Sequence, residues 1–316
     1  MGLLEEVGKK FAERWLTLLV LPGALFLCAL YAAVRLDGFD FAALAREADR
    51  FDVKNRGDGF ALLFLVVFGL LSAAAGLTVS ALGTLVERLW LAERWTAWPV
   101  PLYRAALWRV TARARAWDAA FAAQEELRRR YLRGLIPGAE PSGVTERDVL
   151  RARARVTGKC PERPGRPTWM GSRIQAVTDR FWAECSLDLP SVWPSLWLFL
   201  PDTARTELRQ AREAVTRAAA LAAWAVPYLA VAALWWWPAL LLPPALAAAG
   251  WRRGRRAAEA YALLTEATVR LHGPGLAASL GLVKVGPLDT TLGERLTLVT
   301  QGRAYLLPLT ESRPGE

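Results

Sequence analysis

From Ala218 to Trp251 the chain runs for 34 residues without a charged side chain, closed by Arg217 on one side and by Arg252, Arg253, Arg255 and Arg256 on the other. One bilayer crossing takes about 20 apolar residues, so the run is too long for a single span. It is also basic at both ends, and positive charge marks the cytoplasmic side of a membrane helix. A hairpin that enters the bilayer and returns satisfies both constraints. It places a third span over 218–237, a turn near Trp235-Trp236-Trp237-Pro238, and a fourth span over 238–251. Pro243-Pro244 leaves that last segment about 15 residues, short against the usual 17–25, so full crossing and re-entrance both stay open.

Two further charge-free runs, Trp15–Val34 and Phe60–Leu82, are each long enough to cross, giving a first span over 15–34 and a second over 60–83. The first reads as an uncleaved anchor, because Tyr31-Ala-Ala-Val-Arg35 leads into acidic loop sequence without a small-x-small cleavage site. Charge supports four crossings. Residues 1–14 carry three basic and three acidic groups, 35–59 five and six, 84–217 twenty-three and fifteen, and 252–316 nine and six. Lead-in helix 1–14, domain 84–217 and tail 252–316 are thus expected in the cytoplasm, with loop 35–59 outside. The expected fold class is an all-α membrane protein whose basic helical domain, 84–217, is packed by the tail. A small β-hairpin is expected from Leu296–Val299 and Ala304–Leu307 around Gln301-Gly302.

The second span carries a stripe of small residues, Gly69, Ser72, Ala73, Gly76, Ser80 and Gly83. Small faces let membrane helices approach closely, within one protomer or between subunits. The span is expected to run on through Arg94 until Pro99 and Pro101 break it, and a long helix should follow from Leu102 to about Arg133. Its apolar positions, Tyr103, Leu107, Val110, Ala114, Trp117 and Phe121, alternate four and three apart. That spacing makes a coiled-coil-like seam, which either packs on its own domain or joins copies. Shorter helices are expected over 146–155 and 174–185, and another after Pro201 capped by Asp202 or Thr203. The aromatic segment Trp193–Leu200 is too short to cross and belongs either in a core or at the inner membrane face. A tail helix over 255–271 is expected to stop at His272-Gly-Pro-Gly275.

No nucleotide-binding glycine loop, zinc signature or nucleophile elbow occurs, so no catalytic residue, metal ligand or cofactor is assigned. His272, the only histidine, reads as a helix end. Asp179, Glu184 and Asp188 beside Arg173 and Arg180 read as a solvated face. The three cysteines, Cys28, Cys160 and Cys185, are expected to stay free. The spans hold no ionisable side chain, which argues against an ion-coupled transporter. The arginines are the remaining candidates: Arg128, Arg129, Arg130 and Arg133; Arg151, Arg153 and Arg155 with Arg147, Lys159, Arg163 and Arg166; and Arg252, Arg253, Arg255 and Arg256. Guanidinium forks suit phosphate, so anionic lipid headgroups, a nucleotide and an acidic cytosolic protein all fit; no specific nucleic-acid motif is present.

The segment Arg166-Pro-Thr-Trp-Met-Gly-Ser-Arg173, with Leu187-Asp-Leu and Trp193-Pro-Ser-Leu-Trp197, resembles actinobacterial-type multi-pass membrane proteins of uncharacterised activity. The resemblance covers about 166–275 and implies a bacterial cytoplasmic membrane; it carries no site residue. The basic cytosolic domain also looks like those of membrane effectors in bacterial defence. The expectation from the sequence is a homo-oligomeric, channel-like or membrane-perturbing effector governed by that domain. The alternative is a non-conducting scaffold that recruits a cytosolic protein or anionic ligand.

Overall fold

The structure is a computed structural model that describes residues 21–35, 58–137, 143–233, 240–282 and 286–306. Its elements are α1 (Leu21–Arg35), α2 (Asp58–Leu91), α3 (Val100–Gly134), α4 (Glu146–Lys159), α5 (Trp169–Cys185), α6 (Leu189–Phe199), α7 (Asp202–Ala223), α8 (Ala225–Ala233), α9 (Leu242–Ser279) and α10 (Thr290–Thr300). Short 3₁₀ turns lie at Trp95–Ala97 and Ala304–Leu306. The fold is all-α, with no strand among the described residues. The expected β-hairpin is therefore corrected. Leu296 to Val299 lie inside α10, where Asp289 caps the first turn by accepting from the Leu292 amide, and Leu292 and Leu296 fill a core. Burial at helical spacing outweighs the β-propensity of the short run.

The chain divides into two compact units, residues 1–87 with 216–254, and residues 88–215 with 255–316. In the first, two stretches are long and apolar enough to cross a membrane: Leu62–Leu91, whose last residues extend past the unit, and Asp202–Ala232, which begins before it. They carry the second and third expected spans. Of the first expected span, 15–20 lie outside the described residues and the remainder forms α1. The turn at 235–238 also lies outside them, so the fourth span is represented only by the start of α9. Between α7 and α8 the helix is interrupted at Trp224. Pro227 has no amide to give the carbonyl of Ala223, and the turn before it loosens.

Close backbone approach explains the glycines of this unit. A Cβ on Gly83 would stand 3.1 Å from Ala220 Cα, one on Gly250 would stand 2.7 Å from Ala222 Cβ, and one on Gly23 would meet the backbone of Ser72. Ser72, Ala73, Gly76 and Gly83 are buried, whereas Ser80 faces outward and Gly69 has no atom within 4 Å of its would-be Cβ. The stripe is thus mostly an intramolecular packing face. Val231 is buried against Phe26 and Leu30, and the Phe26 ring meets Tyr228 edge-on at 5.7 Å.

The second unit is built round a core from α5, α6, α7, α9 and α10, including Phe181, Leu196, Leu208, Val269 and Leu292. Its helix ends carry ordinary stop and start signals. Thr145 and Asp148 form a capping box at α4. Thr168 accepts from the Gly171 amide at the start of α5. At the end of α5, Ser186 is left-handed, and the Leu187 and Ser186 amides return to Phe181 and Trp182 in a Schellman pattern. Helix α2 stops at Leu91, three residues before the expected limit, because Ala92 turns left-handed (φ 44°). Helix α9 continues to Ser279 through His272-Gly-Pro-Gly275, against the expected stop. Leu276 and Ala277 are buried in the core, and that burial carries the helix past the missing amide of Pro274.

Replacing Gly83 by Leu is expected to destabilise the detergent-solubilised protein by roughly 1–3 kcal/mol through overpacking against Ala220. Gly69→Leu, with open space beside it, should leave the melting curve in place.

Candidate functional site

Helices α5 and α9 are locked together by contacts at one constant separation in sequence. Arg255 lies over the Trp169 ring at 4.2 Å, Arg173 Nε donates to Glu259 Oε2 at 2.9 Å, Arg180 Nη1 donates to Glu266 Oε2 at 3.0 Å, and Arg270 Nη2 donates to Glu184 Oε2 at 2.7 Å. Each pair is 86 residues apart, so the two helices run parallel in a single register. Arg173 is 2% exposed and also donates to Glu266 Oε1 at 2.9 Å, so one carboxylate serves two arginines. Glu162 takes the remaining face of Arg180 at 3.3 Å. Desolvation by itself lowers the pKa of Arg173. The hydrogen bonds to Glu259 and Glu266 and their charges outweigh it, and the guanidinium sits above its ordinary value. Of the face expected to be solvated, Asp179 and Glu184 are exposed, Asp188 and Arg180 are half-buried, and Arg173 is the correction: it is the most deeply buried charge among the described residues. The signal that marks it is a mirrored pattern, Trp169, Arg173, Arg180, Glu184 on one helix and Arg255, Glu259, Glu266, Arg270 on the other, with identical spacing.

A second group of contacts closes on the end of α2. Thr168 Oγ1 donates to the Trp90 carbonyl, and Arg166 Nη1 donates to the Leu91 carbonyl at 3.0 Å, filling acceptors that a helix end leaves open. Arg166 Nε reaches Gln175 at 3.2 Å, and Arg113 Nη1 donates to the Arg166 carbonyl at 2.8 Å. Burial lowers the pKa of both guanidinium groups. A Cβ on Gly171 would collide with the Leu91 carbonyl, so only glycine lets α5 start here. Met170, Val215 and Ala258 form one buried cluster with Trp90 and Trp169 against it. The end of α2, the last turns of α7 before residue 216 and α9 just after residue 255 therefore meet at one small junction.

The arginine clusters fall on a helix pair. Helix α3 packs along α4. Trp117 Nε1 donates to the Cys160 carbonyl at 3.0 Å, Lys159 Nζ to the Ala116 carbonyl at 2.7 Å, and Arg163 forks onto Asp118 at 2.9 Å. These contacts join the end of α4 to the middle of α3, and a connection over 135–145 joins the other ends, so the pair is antiparallel. With equal rise, the first turn of α4 comes beside about residue 130. Arg128, Arg129, Arg130 and Arg133 are exposed, as are Arg147, Arg151, Arg153 and Arg155. Arg128, Arg130 and Arg151 make only local ion pairs, with Glu125, Glu126 and Asp148. Exposed Leu132, Leu135 and Ile136 stand among them. Arg255 is taken up by Trp169 and by the Gly158 carbonyl at 3.4 Å, while Arg252, Arg253 and Arg256 are exposed. Of the expected seam, Ala114 is buried, Tyr103, Val110 and Trp117 are half-buried, and Leu107 and Phe121 are exposed. Stacking of Tyr103 on Trp95 at 5.8 Å and of Trp117 on Phe121 at 4.9 Å covers part of it from within the chain.

The described residues contain no cluster of side chains able to hold a metal. Burial pushes the thiols of Cys160 and Cys185 up, and the three cysteines are free. No protein-family model, no curated protein and no solved structure matches the chain.

Arg173→Ala is expected to cost up to roughly 3–5 kcal/mol, since it removes the buried guanidinium shared by Glu259 and Glu266 and leaves Glu266 to Arg180 alone. Arg163→Ala, which removes an exposed pair, should cost about 1 kcal/mol or less in the same denaturant titration. A maleimide at neutral pH should leave Cys160 and Cys185 unlabelled until the protein is denatured, because the thiolate is the reactive form.

Proposed function

We propose that this chain is a membrane-anchored scaffold of the bacterial cytoplasmic membrane, with four crossings and both termini inside, which recruits an acidic cytosolic protein to the tip of its α3–α4 hairpin. The observation that carries the anchor is the junction at Met170. The chain departs from it at Val215, passes through the charge-free run, and is back beside it at Ala258. A segment that leaves and returns to one place makes an even number of crossings. It brings its flanking arginines to one side, as the positive-inside rule requires.

The recruiting surface is basic and apolar together, with Arg128, Arg129, Arg130 and Arg133 around Leu132, Leu135 and Ile136. Such a surface suits an acidic, amphipathic segment, whose apolar side covers the leucines and whose carboxylates meet the guanidinium forks. Arg128 lies 25 residues beyond Tyr103, about 38 Å along the helix axis.

The oligomeric, channel-like effector is the second reading. It is favoured by the flank of α2 that the protomer leaves open: Leu62, Leu63, Val66, Val67 and Leu70 are exposed and Gly69 has free space. Under it, vesicles carrying the protein leak an entrapped dye, and Gly69→Leu stops both leakage and assembly.

Cysteines introduced as Ala45→Cys, Leu132→Cys and Tyr305→Cys test the topology in intact cells. An impermeant maleimide should label the first alone; labelling at 132 or 305 would overturn it. For recruitment, the wild-type chain in lipid nanodiscs should hold one protein at equal stoichiometry, released by salt. Changing Arg128, Arg129, Arg130 and Arg133 to Gln should abolish capture while the chain stays in the membrane. Capture unaltered by that variant refutes the recruiting role, and so does a probe at residue 132 quenched by nitroxide-labelled lipid.

A further inference from the structure

We propose that the cleft between α6, α7 and α9 binds an anionic phospholipid from the surrounding bilayer. The cleft is open along one side and has a volume of about 620 Å³, within the range of small-molecule sites. Its walls are Trp193, Trp197, Leu208 and Tyr261, with Arg209 and Arg212 along one side. Glu213 also borders it, leaving the cleft one positive charge in excess. The Arg209 guanidinium stands 5.5 Å from the Trp197 ring centroid. Aromatic walls with arginines on one side match a molecule that has a phosphate at one end and hydrocarbon at the other.

Depth along α7 favours a membrane lipid over a soluble anion. Arg212 precedes Ala218, where charge disappears, by six residues and Arg209 by nine, about 9 and 13 Å at 1.5 Å per residue. The polar layer on each side of the hydrocarbon is roughly 5–8 Å deep, within reach of arginine side chains at those positions. Helix α6 fits the same depth. Its sequence, LPSVWPSLWLF, has no charge; Leu189, Val192 and Leu196 face the core while Leu198 is 77% exposed. An uncharged helix with tryptophans on its flank and leucine turned outward belongs at an interface. A smaller cleft of about 230 Å³, lined by Ile174, Leu189 and Thr265, shares Trp193 and Tyr261 with the first and extends the apolar wall.

This inference rests on the membrane reading above, and its test separates the two. Full-length protein is reconstituted in nanodiscs of equal phosphatidylcholine and phosphatidylglycerol, extracted gently, and its retained lipids are weighed by native mass spectrometry. Phosphatidylglycerol should be retained in preference. Arg209→Gln with Arg212→Gln should lower that preference by about twenty-five-fold, two arginines at about fivefold each. Leu198→Glu, at an exposed site that tolerates change, should lower it without disturbing the fold. Arg128→Gln with Arg129→Gln, outside the cleft, should not. Equal retention of the two lipids by the wild type, or unaltered preference in both cleft variants, overturns the proposal. Protein that never enters nanodiscs overturns the membrane reading instead.

Discussion

The second unit depends on one buried cation. Arg173 is held between Glu259 and Glu266, and the same carboxylate of Glu266 reaches Arg180. Ion pairs of this kind add little net stability over apolar residues of the same volume; their value lies in the arrangements they exclude. Several of the apolar residues at which α5 and α9 meet are small, including Ala176, Val177, Ala258 and Ala262, and by themselves specify the register weakly. The charges do not. Sliding α9 one turn one way sets Arg173 against Arg255 and Glu184 against Glu266. Sliding it one turn the other way sets Arg180 against Arg270. Both slips set like charges opposite each other, and only the observed register pairs every one.

That register also fixes where the chain passes out of the unit. Arg255 on Trp169 is the first rung of the α5–α9 pair and borders the junction of Trp90, Met170, Val215 and Ala258. The Arg166 and Thr168 bonds to the last carbonyls of α2 make the same junction rigid from another side. Three passages of the chain are thus pinned by groups from one stretch, residues 166–173. This stretch contains the capping threonine, the glycine that permits close approach and the buried arginine.

Much of this was legible beforehand. Helix content, the start after Pro201 and the close-packing glycines follow from local rules, because each depends on residues within a turn or two, whereas Pro99 and Pro101 begin α3 and do not end α2. The failures share one cause. The stop at His272-Gly-Pro-Gly275, the hairpin at Gln301-Gly302 and the solvated reading of Arg173 were local inferences at positions where a distant partner decides. Leu276 and Ala277 are carried into the core, Leu292 and Leu296 anchor α10, and Glu259 and Glu266 lie 86 and 93 residues from Arg173. A lone arginine among acidic neighbours carries no mark of burial. The mark is the repeat of its spacing, in reversed charge, on another helix.

The composition follows from the same physics. Where helices meet through alanine and glycine, backbones come close and little apolar bulk is available to specify the fit. In the first unit this is enough, since Gly83 on Ala220 and Gly250 on Ala222 define the contact by shape alone. In the second unit small residues bring long arginines within reach of carboxylates, and direction comes from hydrogen bonds. The large ones, such as Phe181 and Leu196, gather in the core that α5, α6, α7, α9 and α10 share, where Arg270 lies over the Phe181 ring at 5.2 Å. The exposed arginines at the far end of α3, among them Arg128, Arg129 and Arg130, take no part in that register.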